Sequence, residues 1–169
     1  MNHKQYRKVL AVLRERINIV ERLMSENRWD EIEFDKIPSK AGLIYRNAFA
    51  RNDIIGERYR LFIESKNTVV NADTLYPYEI VRKALDSVKY RNAGNITDIE
   101  RETLEKYWNN LPDYLKGKPC KMMCVVDTSG SMTCGTPAPI DVAISLGMYC
   151  AEKAKGPFAG HYVSFASRP

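Results

Sequence analysis

From residue 4 to residue 26, apolar side chains recur at three- and four-residue intervals: Tyr6, Val9, Leu10, Leu13, Ile17, Val20, Leu23 and Met24. That spacing predicts a single amphipathic helix. Arg7, Lys8, Arg14, Arg16 and Arg22 lie off the stripe. The stripe itself needs a cover, from other helices or from a partner. Ser39 is placed to cap a second helix whose apolar face is Ala41, Leu43, Ile44, Ala48 and Phe49. A third is expected over about residues 53–66, with Ile54, Ile55, Tyr59, Phe62 and Ile63 inward. A fourth starts at Pro77, a good first-turn residue, and buries Ile80, Val81, Ala84, Leu85 and Val88. After a loop at residues 90–95, Thr97-Asp98-Ile99-Glu100 reads as a capping box that opens a fifth helix with Leu104, Tyr107 and Trp108. Trp29, Tyr45, Tyr59, Tyr107 and Trp108 are expected in cores.

The texture changes at Gly117-Lys118-Pro119. Residues 120–126 are nearly all apolar, as in a buried parallel strand. Pro139 then opens a helix to about residue 154, and residues 161–165 form a second strand. The fold expected is an α-helical N-terminal module of bundle or helical-repeat type (1–118), followed by an incomplete α/β piece (119–169) forming a right-handed βαβ unit.

Composition adds bounds. Apolar residues make up 44% and charged residues 28%, which excludes collagen-like and wholly disordered chains. No apolar run is long enough for a membrane span, and the N-terminus has no apolar signal region, so a cytoplasmic location is expected. The net charge is +5, and residues 1–28 hold seven basic and three acidic side chains. The excess therefore sits at the start, where it could meet phosphate backbones or simply be a solvated helix face. Cys120, Cys124, Cys134 and Cys150 are expected as buried free thiols, because their spacing does not suit zinc.

Chemistry concentrates in Val125-Val126-Asp127-Thr128-Ser129-Gly130-Ser131-Met132. A strand ends in a carboxylate, and hydroxyls follow at +2 and +4. Loops at the carboxyl ends of parallel strands are where α/β sheets bind ligands. A carboxylate with two hydroxyls suits a hard cation such as Mg2+, and Gly130 is expected to permit the turn. Other readings are a helix-capping turn and a phosphate cradle from Gly130, Ser131, Thr133, Gly135 and Thr136, although no Gly-Lys-Ser/Thr follows. A nucleophilic Ser129 or Ser131 needs a base, and the chain has only His3 and His161. A phosphoryl-accepting Asp127 would want a second Asp where Ser129 stands. An enzyme is not expected.

Asp127-x-Ser129-Gly130-Ser131-Met132 after an apolar strand resembles the metal-ion-dependent adhesion site of von Willebrand factor A domains, and Val163-Ser164-Phe165-Ala166-Ser167 resembles their second strand. Lys36 through Ala41, Phe49 through Asp53, and Arg58-Tyr59 are similar to the helical module of Ro-type (TROVE) ribonucleoproteins. They are closer to the uncharacterised bacterial, phage and plant relatives of that family, as is Leu75 through Val81. The resemblance implies that Asp127, Ser129 and Ser131 bind Mg2+, and that a partner's acidic oxygen completes the shell. It implies a binding protein that engages a protein partner through Mg2+ and structured RNA through the helical module. From charge alone, Arg7, Lys8, Arg14, Arg16 and Arg22 are the phosphate-contact candidates. The alternative is a protein-only scaffold that grips an acidic peptide through Mg2+. The resemblance also implies a Thr and an Asp from later loops. No residue here matches them, so the chain is expected to be a fragment holding the ion weakly or not at all.

Overall fold

The computed structural model describes residues 2–16, 19–89, 96–116 and 121–165. Among these lie seven α-helices and one two-stranded parallel sheet, a helical module with a partial α/β unit. By packing the chain divides into two compact units, Met1–Asn71 and Ala72–Pro169.

In the first unit the expected 4–26 helix is two helices, α1 (His3–Arg16) and α2 (Val20–Ser25). Ile19 between them is extended, and its carbonyl accepts the Arg22 and Leu23 amides. Ile17-Asn18-Ile19 is a weak helical run, two β-branched residues around an Asn. Helix α3 (Ser39–Arg51) is bounded by extended Pro38, whose carbonyl accepts the Gly42 amide; Ser39 is not a cap but a buried first-turn residue. Helix α4 (Gly56–Glu64) starts later than expected. The Asn52 side-chain oxygen accepts the Ile54 and Ile55 amides, at 2.9 and 3.2 Å. That turn sends Ile55 into the core and leaves Ile54 exposed. Ile44, expected inward, is also exposed, and Arg46 is buried with Nη1 donating to the Leu43 carbonyl.

The core of this unit is aromatic. The Phe34 ring lies 5.1 Å from Tyr59, 5.8 Å from Phe49 and 5.3 Å from Phe62. Arg58 covers it from outside at 5.1 Å and donates to the carbonyls of Asp30 and Ile32. Trp29 and Tyr45 are only half-buried.

The second unit holds α5 (Pro77–Lys89), α6 (Asp98–Asn109), β1 (Cys124–Asp127), α7 (Pro139–Lys153) and β2 (Tyr162–Phe165). Helix α5 packs on both α6 and α7. Its first turn is closed by Glu79, which accepts the Tyr76 amide. Leu85 is exposed rather than core, and the Val88 side chain and the 90–95 loop lie outside the described residues. The Thr97 half of the expected capping box does not form, since Thr97 makes no side-chain cap bond, and Glu100 is buried in line with Thr103, Leu104 and Tyr107. Glu100 shares with Thr103, Leu104 and Tyr107, at three, four and seven residues, the face that is buried. Trp108 is half-buried and donates to Glu152.

The sheet pairs Cys124 with Tyr162 through Asp127 with Phe165, in parallel. Helix α7, opened by Pro139, packs on β1. Val126 faces it and is buried, whereas Val125 is 64% exposed, with Met123, Val163 and Phe165 also open. The strand is therefore buried on one face only, against the sequence expectation. Cys134 is exposed and Cys124 and Cys150 are half-buried, not buried; Cys120 and the 117–119 boundary lie outside the described residues. No described helix is long and apolar enough to cross a membrane.

Candidate metal centre

Strand β1 ends at Asp127 because the chain turns off the sheet there. Thr128 makes that turn firm: its amide and its Oγ1 both donate to the Phe165 carbonyl at 2.9 Å. This clamp ties the loop to the end of β2. Sequence reasoning passed over Thr128, and only its position directly after the strand could have signalled it.

The Asp127 carboxylate then accepts the Ser129 amide at 2.9 Å, an Asx-type turn. This bond, helped by the Ser129 side chain, holds the Asp127 carboxyl below its ordinary value. The group is thus ionised across the neutral range. Ser129 is extended, and a 3-10 turn over Gly130–Thr133 follows. The Met132 amide closes onto the Ser129 carbonyl at 3.0 Å, and Thr133 Oγ1 donates to the Gly130 carbonyl at 2.7 Å. The result brings the Ser129 and Ser131 hydroxyls to 3.2 Å.

Gly130 does not play the part expected of it. Its φ is outside the left-handed region, and a Cβ there would meet nothing within 4 Å. The turn comes from the Asp127 and Thr133 bonds, not from glycine freedom.

The donor set can be tested against Mg2+. Two ligands in neighbouring octahedral positions, each about 2.1 Å from the ion, stand about 3 Å apart. The hydroxyl pair comes within a few tenths of an ångström of that spacing. One ionised carboxylate and two adjacent hydroxyls are the donor types that half of a hard-oxygen shell needs. No cluster of three His, Cys, Asp or Glu side chains occurs among the described residues, so Asp127 is the one carboxylate that this motif offers a cation. The residues fit a partial Mg2+ site.

The carboxylate beside Ser129 is that of Asp127, and His161 Nδ1 contacts the Ala159 carbonyl. The phosphate-contact candidates belong to the first unit. Arg7, Lys8, Arg14 and Arg16 lie on α1, exposed. Arg22 lies on α2 and is paired with Glu26 at 2.6 Å, so it does not join them as a free cation.

A family described as a domain of unknown function, DUF2828, matches residues 1–119. The relative "Uncharacterized protein L728" of Acanthamoeba polyphaga mimivirus is 31% identical over 182 residues, covering 98% of this chain and 30% of that protein. The chain thus spans less than a third of the length of this curated relative. No solved structure matches.

Proposed function

The chain belongs to the DUF2828 family, and from that premise we propose that it is a non-enzymatic binding protein that grips an acidic group of a protein partner through Mg2+. The observation that carries this reading is the loop after β1, where ionised Asp127 precedes two hydroxyls 3.2 Å apart. The resemblance of residues 125–132 to the von Willebrand factor A adhesion site supports it. Asp127, Ser129 and Ser131 would hold the ion. A single carboxylate leaves a divalent cation with one uncompensated positive charge, which favours an anionic oxygen at an open position. Binding rather than turnover is the output that the resemblance to adhesion-type sites implies.

Mn2+, a paramagnetic substitute for Mg2+, provides the test. Titrated into the intact chain, it is expected to broaden the Ser129 and Ser131 amide signals selectively. EDTA should restore them, and Asp127→Ala should abolish the effect. Uniform or absent broadening at millimolar Mn2+ overturns the proposal. RNA binding, which the resemblance to Ro-type modules would add, finds support only in the exposed cations of α1. It leaves the apolar side of that helix without a purpose.

A further inference from the structure

Helix α1 carries two surfaces, and both are open. Tyr6, Val9, Val12 and Leu13 are each about half-exposed, between 48% and 54%. Leu10 is the only half-buried residue on that side. At 100° per residue, Val12, Val9, Leu13, Tyr6 and Leu10 fall in one arc of about 160°, which Gln5 and, at the last helical position, Arg16 enter between Val12 and Val9. Cations border it on both margins, with Lys8 beyond Val12, and Arg14 and Arg7 beyond Leu10. Lys4 and Arg16 bring the helix to five Lys or Arg against the single Glu15. None of the five pairs with a carboxylate among the described residues.

We propose that α1 is an amphipathic anchor that lies flat on a bilayer surface bearing anionic lipid headgroups. Two features select this occupant. The charge calls for an anionic surface and opposes a second α1 laid alongside. An RNA would take the cations and leave four apolar side chains in water. Tyr6, Val9, Leu10 and Leu13 keep the i, i+3, i+4, i+7 spacing that a protein groove also reads, so the choice of a bilayer rests on the charge at both margins. A fluid anionic surface takes Tyr6, Val9 and Val12 together with the exposed half of Leu13, which with Leu10 also lines a groove beside Ile32 and Ile37, and Lys and Arg at the margins extend their heads to the phosphates while their stems stay in the apolar layer. At 14 residues the helix is too short to span, so it rests on the surface.

The test is co-sedimentation of the intact chain with phosphatidylcholine vesicles, with and without phosphatidylserine, at roughly physiological salt. Near such a surface each Lys or Arg contributes about a fivefold factor. Partitioning onto the anionic vesicles is therefore expected to exceed that onto neutral ones by at least about tenfold. Arg7→Glu with Lys8→Glu should lower it by about tenfold or more. Val9→Ser with Leu13→Ser should lower it by a similar factor, with helix content by circular dichroism unchanged because both sites are exposed. EDTA should have no effect, which separates this surface from the metal site. No preference for anionic vesicles overturns the proposal. So does binding that is indifferent to Val9 and Leu13, which would assign the cations to any polyanion. So does concentration-dependent self-association abolished by the same two substitutions, which would assign the stripe to a second copy.

Discussion

Gly147 sits where α7 crosses β1, and a Cβ built there would lie 2.5 Å from Val126 Cγ2. Val126 is buried and β-branched, so its methyl cannot swing aside. Gly147→Ala is expected to destabilise by about 1–3 kcal/mol through overpacking, reduced by up to about 1 kcal/mol of helix propensity. Urea denaturation checks it, and adding Val126→Ala should recover part of the loss. Gly130→Ala is the control, because open space and an ordinary φ leave stability within about 0.5 kcal/mol. Asp127 gives a second residue-scale outcome. Its carboxyl is depressed below 3.8 by the Ser129 amide, so the bond is intact at neutral pH and is lost only as pH falls through that lowered value. The Ser129 amide proton should therefore shift with a midpoint below 3.8. A midpoint at or above 3.8 would mean that the turn does not exist in solution.

Between elements, Arg58 does more than its place on an exposed side of α4 suggests. Its guanidinium spans the carbonyls of Asp30 and Ile32 and covers the Phe34 ring, so one side chain fastens the 29–34 segment to α4. Lys keeps the charge but not the planar fork. Arg58→Lys is expected to cost about 0.5–1.5 kcal/mol by thermal unfolding, since a single ammonium cannot serve both the exposed Asp30 carbonyl and the part-buried Ile32 carbonyl. A melting curve identical to wild type would remove Arg58 from the fold's supports. Such a link joins residues 26 and 28 positions apart, which periodicity does not report. The same limit explains the first helix. Val20 and Leu23 stay in phase with Leu13 across a break in the backbone, so the stripe looks continuous where the helix is not. It explains α6 as well, where Glu100 is buried beside Thr103 and Tyr107 and the Thr97 half of a local capping rule goes unmet. The loop after β1 was legible because Asp127, Ser129 and Ser131 lie within five residues and bond mainly to one another. Thr128 was not legible, because its partner carbonyl belongs to Phe165 at the far end of the βαβ unit.

At the scale of the molecule, each compact unit buries a core of its own and each leaves an apolar surface open, α1 in one and the outer face of the sheet in the other. The sheet face is the more unusual of the two. Parallel sheets occur almost only with both faces covered, because their strands are apolar on both sides. Here α7 covers Val126 on one face of β1 and leaves β2 exposed, while Met123, Val125, Val163 and Phe165 form an apolar strip on the other face. A strip of this kind exposed to water recruits other apolar surface. The 169-residue chain is therefore expected to enhance the fluorescence of a hydrophobic dye and to self-associate as its concentration rises in sedimentation velocity. Val125→Thr with Val163→Thr keeps β-branched side chains and places hydroxyls on the open face. That pair should lower both signals several-fold while changing stability by less than about 0.5 kcal/mol, since both positions are solvent-exposed. A chain that stays monomeric and dye-dark at every concentration would show that this face is covered in solution. Loss of cooperative unfolding in the pair would show that Val125 and Val163 belong to a core after all.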